Sequence, residues 1–441
     1  MTRRIPVRLL LPLLAVVLVA AAWFVPEPAE PVVDGGRSAV EVRQTVWACP
    51  VRSGWSVAAG QVGPGTEAAA RAIPEDAAVD PVWADATRWR TAEPGGDALV
   101  LEQSGEGSGS VGFVAGETGD ASVLGSCPSV VDDAWFTGLA DQGRTDAVIT
   151  LVNVGENRAV ADLTWWGSNG PIQSLDTSGL VVEPGERREV KVDDVAAGEG
   201  AVSVHVSRRR GALTAIATDA GAGRADLVAP SRGPVRSQVL AGLPPGDSTR
   251  LALANPGTAT AHVAVAVRGE SGSFAAEGLE DVTVEPESTR VIDVPGSIEL
   301  DGASLAVTSD LPVVASATVA DGDIARVVRS AEITGPAIAP VRMGGLPVRL
   351  ALTAGDEAAE VTVESFSVRM DPLGSEKVTL KPGTSRSLPA PKDRFAAYVV
   401  VTPAEGDSVM GGLWRTAGEG LAAAPLRPAP VTVVAPGVSV R

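Results

Sequence analysis

A chain of 441 residues with net charge −18, 4% aromatic residues, two His and two Cys excludes several function classes. Nucleic-acid binding needs a basic face, and beyond the N-terminus the one basic cluster is Arg208-Arg209-Arg210. Two His in separate segments cannot complete a zinc site, and 49 Gly with 33 Pro leave little room for long helices.

The N-terminus carries Arg3, Arg4 and Arg8, followed by an apolar run of 17 residues, Leu9–Val25. That length is at the short end for a membrane span. The arginines assign residues 1–8 to a cytoplasmic tail, 9–25 to a transmembrane anchor and the bulk to the extracytoplasmic side. Ala20-x-Ala22 offers the alternative of a cleaved signal peptide and a secreted product. Trp23, Phe24 and Val25 prolong the apolar run, which favours the anchor. Residues 26–37 read as a polar linker.

An N-terminal β domain is expected over 38–131. Cys49 and Cys127, each followed by Pro, flank it. In an oxidising compartment they form one disulfide, worth about 4 kcal/mol by loop entropy. Trp47, Trp55, Trp83 and Trp89 supply its core. "TEAAARAI", Thr66–Ile73 before Pro74, is the clearest helix candidate. "GSGSVG", 107–112, matches G-x-G-x-x-G, but no helix follows to present its N-terminus to a phosphate, so it reads as a hairpin turn.

Beyond this domain the chain repeats itself. "ITLVNVGENRAVADLTWWGSNG" (149–170) aligns without a gap to "LALANPGTATAHVAVAVRGESG" (251–272), and more weakly to "LALTAGDEAAEVTVESFSV" (350–368). Gly138-Leu139, Gly242-Leu243 and Gly345-Leu346 precede the copies; "VEPGERREVKV", "VEPESTRVIDV" and "LKPGTSRSLPA" follow them. Glu183 and Glu285 lie 102 residues apart, a domain-sized period. Each copy alternates apolar residues with period two and breaks at Gly/Pro/Asn turns, the signature of strands with one buried face. The fold class is therefore all-β: tandem immunoglobulin-like β-sandwich domains at 132–231, 232–335 and 336–441, the last with a C-terminal strand, behind the N-terminal transmembrane helix. The short Pro-containing joins, 225–242 and 331–345, imply that neighbouring domains touch.

Register assigns inward and outward residues. Val263, Val265 and Val267 face inward with their equivalents Ala161, Leu163 and Trp165. Trp166 then faces outward, at the position of Arg268, read as a surface residue. Trp166 is the one candidate ligand contact, for stacking on a sugar or a partner side chain. The favoured reading is that it packs under a neighbouring loop or domain. Trp135-Phe136 reads as the plug of a domain junction. His205 and His262 each alternate with valines and have no evident partner. Asp193-Asp194 and Asp321-Gly322-Asp323 lack calcium-loop spacing and read as solvated turns. Arg188, Arg290 and Arg386 recur five residues after Glu183, Glu285 and Lys381, with a structural role in the turn or at a junction.

Taken together, the anchor, the paired Cys-Pro sites, "AWFTGLADQGRTDAVITLVNVG" and "VEPGERREV" resemble an actinobacterial family of secreted or membrane-anchored envelope proteins of unknown function. The resemblance spans essentially the whole chain. It implies an envelope location and a repeated sandwich fold, and no activity, ligand or site residues. Ala354 stands where the other copies have Asn, which puts the turn of the third copy in question. The expected function is a non-enzymatic extracytoplasmic scaffold or adaptor that binds an envelope protein, with no cofactor, no metal and no nucleic acid. The alternatives are a glycan-binding module for wall polymers, and a hydrolase with a scattered carboxylate pair.

Overall fold

The computed structural model describes residues 37–41, 44–62, 68–73, 89–92, 96–104, 109–140, 146–221, 223–296, 300–429 and 432–436. The expected anchor at 9–25 and Trp83 lie outside them, as does the side chain of Trp89. No helix among the described residues is long and apolar enough to cross a membrane. The chain is all-β with many sheets; its one described helix, Val192–Ala196, has five residues. The strands Arg37–Glu41 and Thr432–Pro436 pair in a two-stranded sheet; the larger compact unit spans Glu41–Val431.

Within 41–431 one strand order recurs four times. Each module has two antiparallel sheets. Leaving aside the short extra strands Leu180–Val182, Val282–Val284, Arg342–Met343 and Leu346–Pro347, the order in the first sheet is first, sixth, third and fourth strand; in the second it is fifth, second, seventh and eighth. The module at 133–228 shows it in full: Asp133–Leu139 pairs with Val202–Arg210, which pairs with Ala159–Gly167. Opposite, Arg187–Lys191 pairs with Val148–Asn153, then Leu213–Gly221 and Arg224–Val228. In the module at 235–328 the sixth and seventh strands are one continuous 18-residue strand, Ser304–Asp321, that serves both sheets. The module at 337–425 repeats the order with Tyr398–Pro403 and Val409–Ala417.

The N-terminal region, which no repeat covers in sequence, shows among its described residues the first, sixth and third strands of one sheet and the fifth, second, seventh and eighth of the other, from Gln44–Pro50 to Ala121–Ser126. It is thus a fourth copy of the topology. The Ala68–Ile73 segment is a strand here and not the expected helix, because it pairs with Ala98–Gln103 along its whole length. Tertiary pairing overrides the alanine preference. Gly109–Gly112 of "GSGSVG" lies inside the strand Gly109–Thr118, not in a turn. Cys49 and Cys127 are disulfide-bonded and buried in the same apolar cluster as Trp47 and Trp55.

The period-two register holds. Val263, Val265 and Val267 are at most 2% exposed, whereas His262 is exposed. The repeated Asn has a specific task. Asn153 Nδ2 donates to the carbonyls of Asn157 and Val182, and its Oδ1 accepts from Gly155 N. Asn255 does the same with Ala259, Val284 and Gly257. One buried side chain therefore closes the turn and ties it to a crossing strand. Without that Asn, the third copy still turns between Arg349–Ala354 and Ala359–Phe366. Arg188 and Arg290 also act alike, donating to the carbonyls of Val181 and Thr283.

The repeated Gly-Leu marks the junctions. Gly138 and Gly242 have φ of 74° and 72°, and a Cβ there would meet Ala252 Cβ at 2.5 Å and Gly412 Cα at 2.9 Å. Each glycine lets its module press backbone-close onto the next one.

Candidate functional site

The eighth strands of the four modules meet. Ala121–Ser126 contacts Arg224–Val228, which contacts Asp323–Val328, which contacts Gly420–Pro425, which returns to Ala121–Ser126. Their side chains have both faces covered, so these strands read as near-continuous apolar runs, as in buried sheets. The charged residues set into those runs are the exceptions.

Asp323 is 2% exposed, a correction to the solvated turn expected of Asp321-Gly322-Asp323. Its carboxylate accepts from Ser122 N at 2.8 Å, Ala225 N at 2.9 Å and Leu421 N at 3.0 Å, one from each of the other modules. The N–H of Ile324 adds a fourth bond from its own strand. Burial pushes this carboxyl up, while the four N–H groups oppose it. Alongside, Arg326 Nη1 meets Asp219 Oδ2 at 3.0 Å, both residues at most 2% exposed. Asp226 accepts from Leu227 N and Arg326 N, and burial pushes its carboxyl up to about 8 against the pull of Arg326. Arg415, 1% exposed, closes the cycle: Nε donates to Ser122 Oγ, Nη1 to Met343 O and Nη2 to Gly116 O. Burial lowers its pKa.

This acid cluster was not evident from sequence spacing. A signal existed: "TDAGAGRADLV" and "DGDIARVV" place charges within Val/Ala strands that have no wet face. The carboxylates are engaged by backbone N–H groups and arginine rather than turned into a cleft. Asp219 Oδ1 alone meets no partner among the described residues.

Trp166 does face away from Trp165, as its register requires, but it is only 7% exposed. It stacks on Trp135 with centroids 5.0 Å apart and packs on Ala254 and Val314 of the following module. The following module covers this face, which bears out the reading that Trp166 packs under a neighbour, so it is a junction residue and not an open ligand contact. Trp135 also stacks on His205 at 4.5 Å, and His205 bonds Asp133. Phe136 belongs to the core of its own module. At the equivalent position Arg268 is no free surface residue: it donates to Ala354 O and Asp356 Oδ1, each at 2.8 Å, in the next module. The other His, His262, pairs with Asp281 at 3.0 Å. Among the described residues no group of three or more His, Cys, Asp or Glu is placed to hold a metal ion.

Two cavities stand out. One, of about 430 Å³, opens within the last module between Leu373–Glu376 and Leu388–Asp393 and is mainly apolar. The other, about 490 Å³, lies beyond the ends of the four eighth strands and draws residues from all four modules. Arg232, Arg329 and Arg427 line it, each from the segment that follows the eighth strand of its module. That recurrence of Arg after the strand was the sequence signal for the cavity. The module with the disulfide has Cys127-Pro128-Ser129 there instead.

Comparison with solved structures brings out the Streptomyces avermitilis alpha-L-rhamnosidase complexed with L-rhamnose, at 9% identity and TM-score 0.13. The alignment covers 84% of this chain and 57% of the rhamnosidase. The FN1–FN3 domains of chicken CNTN1 match at 8% identity and TM-score 0.11, covering 79% of this chain and 98% of that one. At such TM-scores neither likeness carries an argument. No curated protein matches the chain. The pattern of DUF5719 matches residues 90–391, reaching into all four modules, and the chain therefore belongs to this family of unknown function.

Proposed function

We propose that the protein is a non-enzymatic, extracytoplasmic scaffold or adaptor of the cell envelope. In this reading four immunoglobulin-like sandwich domains, divided near 131/132, 231/232 and 335/336, are held rigidly together. The Arg3–Arg8 cluster and the apolar run Leu9–Val25 tether them to the membrane. One observation carries the reading: Asp323 accepts backbone N–H bonds from each of the other three modules. Its polar chemistry is spent on fixing modules relative to one another, which suits a platform that presents surfaces to protein partners. The disulfide agrees with an oxidising location. The glycan-binding alternative loses its main motive with the burial of Trp166.

Cross-linking on intact cells, followed by identification of the captured molecules, tests the reading. Recovery of a defined envelope protein supports the adaptor. Recovery with wall polysaccharide alone would replace it with the glycan-binding alternative.

A further inference from the structure

The cavity beyond the eighth strands gathers Arg232, Arg329 and Arg427 from three modules in a chain whose net charge is −18. Among the described residues none of the three forms an ion pair, and Glu332, which lines the same cavity, is not bonded to them. Their hydrogen bonds are few and long: Arg427 Nη2 to Pro230 O at 3.3 Å, and Arg329 Nη1 to Gly233 O at 3.4 Å. Arg427 Nε is buried and meets no partner among the described residues. Three cations held together without a carboxylate paired to them are a cost to the folded chain. Burial first, and Arg232 second, lower Arg427 to about 10 and lower Arg329 as well. A negative group placed among them would offset that cost.

We propose that this cavity binds a small ligand through an oxyanion group, a phosphate or a carboxylate. The guanidinium fork matches both geometries, and charge-assisted bonds to a buried Arg are among the stronger ones. A volume of about 490 Å³ suits a ligand the size of a phosphosugar or a uronic acid. Trp47 and the rings of Pro230, Pro425 and Pro428 give it apolar walls against which a sugar-sized body packs. Because the lining comes from all four modules, the site exists only when they are joined, and ligand binding stabilises the joined state. This inference stands apart from the scaffold reading.

The test is titration of the purified full-length chain, in buffer free of other oxyanions, with inorganic phosphate, glucose 1-phosphate and glucuronate. Thermal unfolding and calorimetry are the readouts, with sodium chloride at matched ionic strength as the control. The expected result is a saturable rise in Tm with at least one probe, absent with chloride. Arg427→Gln should weaken that probe by about tenfold or more. Arg232 is exposed, so Arg232→Gln keeps the packing and serves as the second variant should Arg427→Gln fail to fold. A response to the phosphates alone assigns a phosphoryl ligand; a response to glucuronate alone assigns a carboxylate. No saturable response to any probe overturns the proposal, and so does undiminished affinity in the folded variants.

Discussion

The backbone N–H of Ser122 donates to Oδ2 of Asp323 at 2.8 Å across 201 residues of chain. Ser122 Oγ in turn accepts from Arg415 Nε at 2.8 Å. Two short bonds thus join the first, third and fourth modules, and Ala225 N brings in the second. Asp323→Ala would leave buried N–H groups from all four modules without an acceptor. Breaking a buried charged network of this kind costs about 3–5 kcal/mol. The exposed neighbour Asp321→Ala should change stability by about 0.5 kcal/mol or less. Denaturant unfolding of both variants checks this; equal midpoints would show that Asp323 does not hold the modules.

Asp226 sets a pH dependence. Its carboxyl is raised in the folded chain to about 8, chiefly by burial, from an ordinary 3.8. Between those values the folded chain holds a proton that the unfolded chain has lost, so stability falls as pH rises from about 4 to about 8 and then levels off. The raised Asp323 adds to the same trend. The midpoint of thermal unfolding should therefore drop across that window, and Asp226→Asn should flatten the slope. A midpoint that rises with pH over the window would count against this.

The disulfide predicts a redox dependence. Cys49 and Cys127 are 78 residues apart in sequence, and closing that loop contributes about 4 kcal/mol in the chain-entropy account. Thiol labelling of the denatured, unreduced protein should find none free. Reduction should lower the unfolding midpoint, with protease cuts appearing first between Cys49 and Cys127.

Much of the fold was legible because period-two alternation survives any tertiary arrangement. Val263, Val265 and Val267 could be assigned inward without knowing what covers the other face. What covers it was not legible. Trp166 was expected to pack under a neighbour, though not under which one; Arg268, read as a surface residue, is taken up by the next module as well. The strand at Ala68–Ile73 was masked by its alanines, whose helical preference is strong only in isolation. The meeting of the eighth strands escaped because a four-membered closure leaves no spacing in the sequence. Asp219, Asp226 and Asp323 come from two modules and meet only when the cycle shuts.

Register can be tested directly. Val265 is 2% exposed in the core of its module. Val265→Asp in the full chain buries a carboxylate without a partner, at a cost of several kcal/mol by rough estimate. His262 is exposed on the other face and bonds Asp281, which raises its pKa. His262→Ala should move the unfolding midpoint little. Tolerance of the first with damage from the second would mean a register shifted by one residue.

The closest junction makes the sharpest steric prediction. Gly242 and Gly412 face each other across the third and fourth modules. A Cβ on Gly412 would lie 2.0 Å from Ala241 O, a backbone atom that cannot swing aside. Gly412→Ala must push the two modules apart. Overpacking of this order typically costs about 1–3 kcal/mol, and here it also pulls on Ala241 N, which donates to Ser330 Oγ. Gly335 is the control, since a Cβ there meets nothing within 4 Å. Gly335→Ala should be neutral or slightly stabilising, by about 0.4–1 kcal/mol at most, through loss of unfolded-state entropy. Parallel unfolding curves, with limited proteolysis of the join at 329–336, separate the outcomes. Gly412→Ala should lose stability and open that join to cleavage, and Gly335→Ala should do neither. If both variants behave alike, the backbone contact between the modules is looser than the distances require.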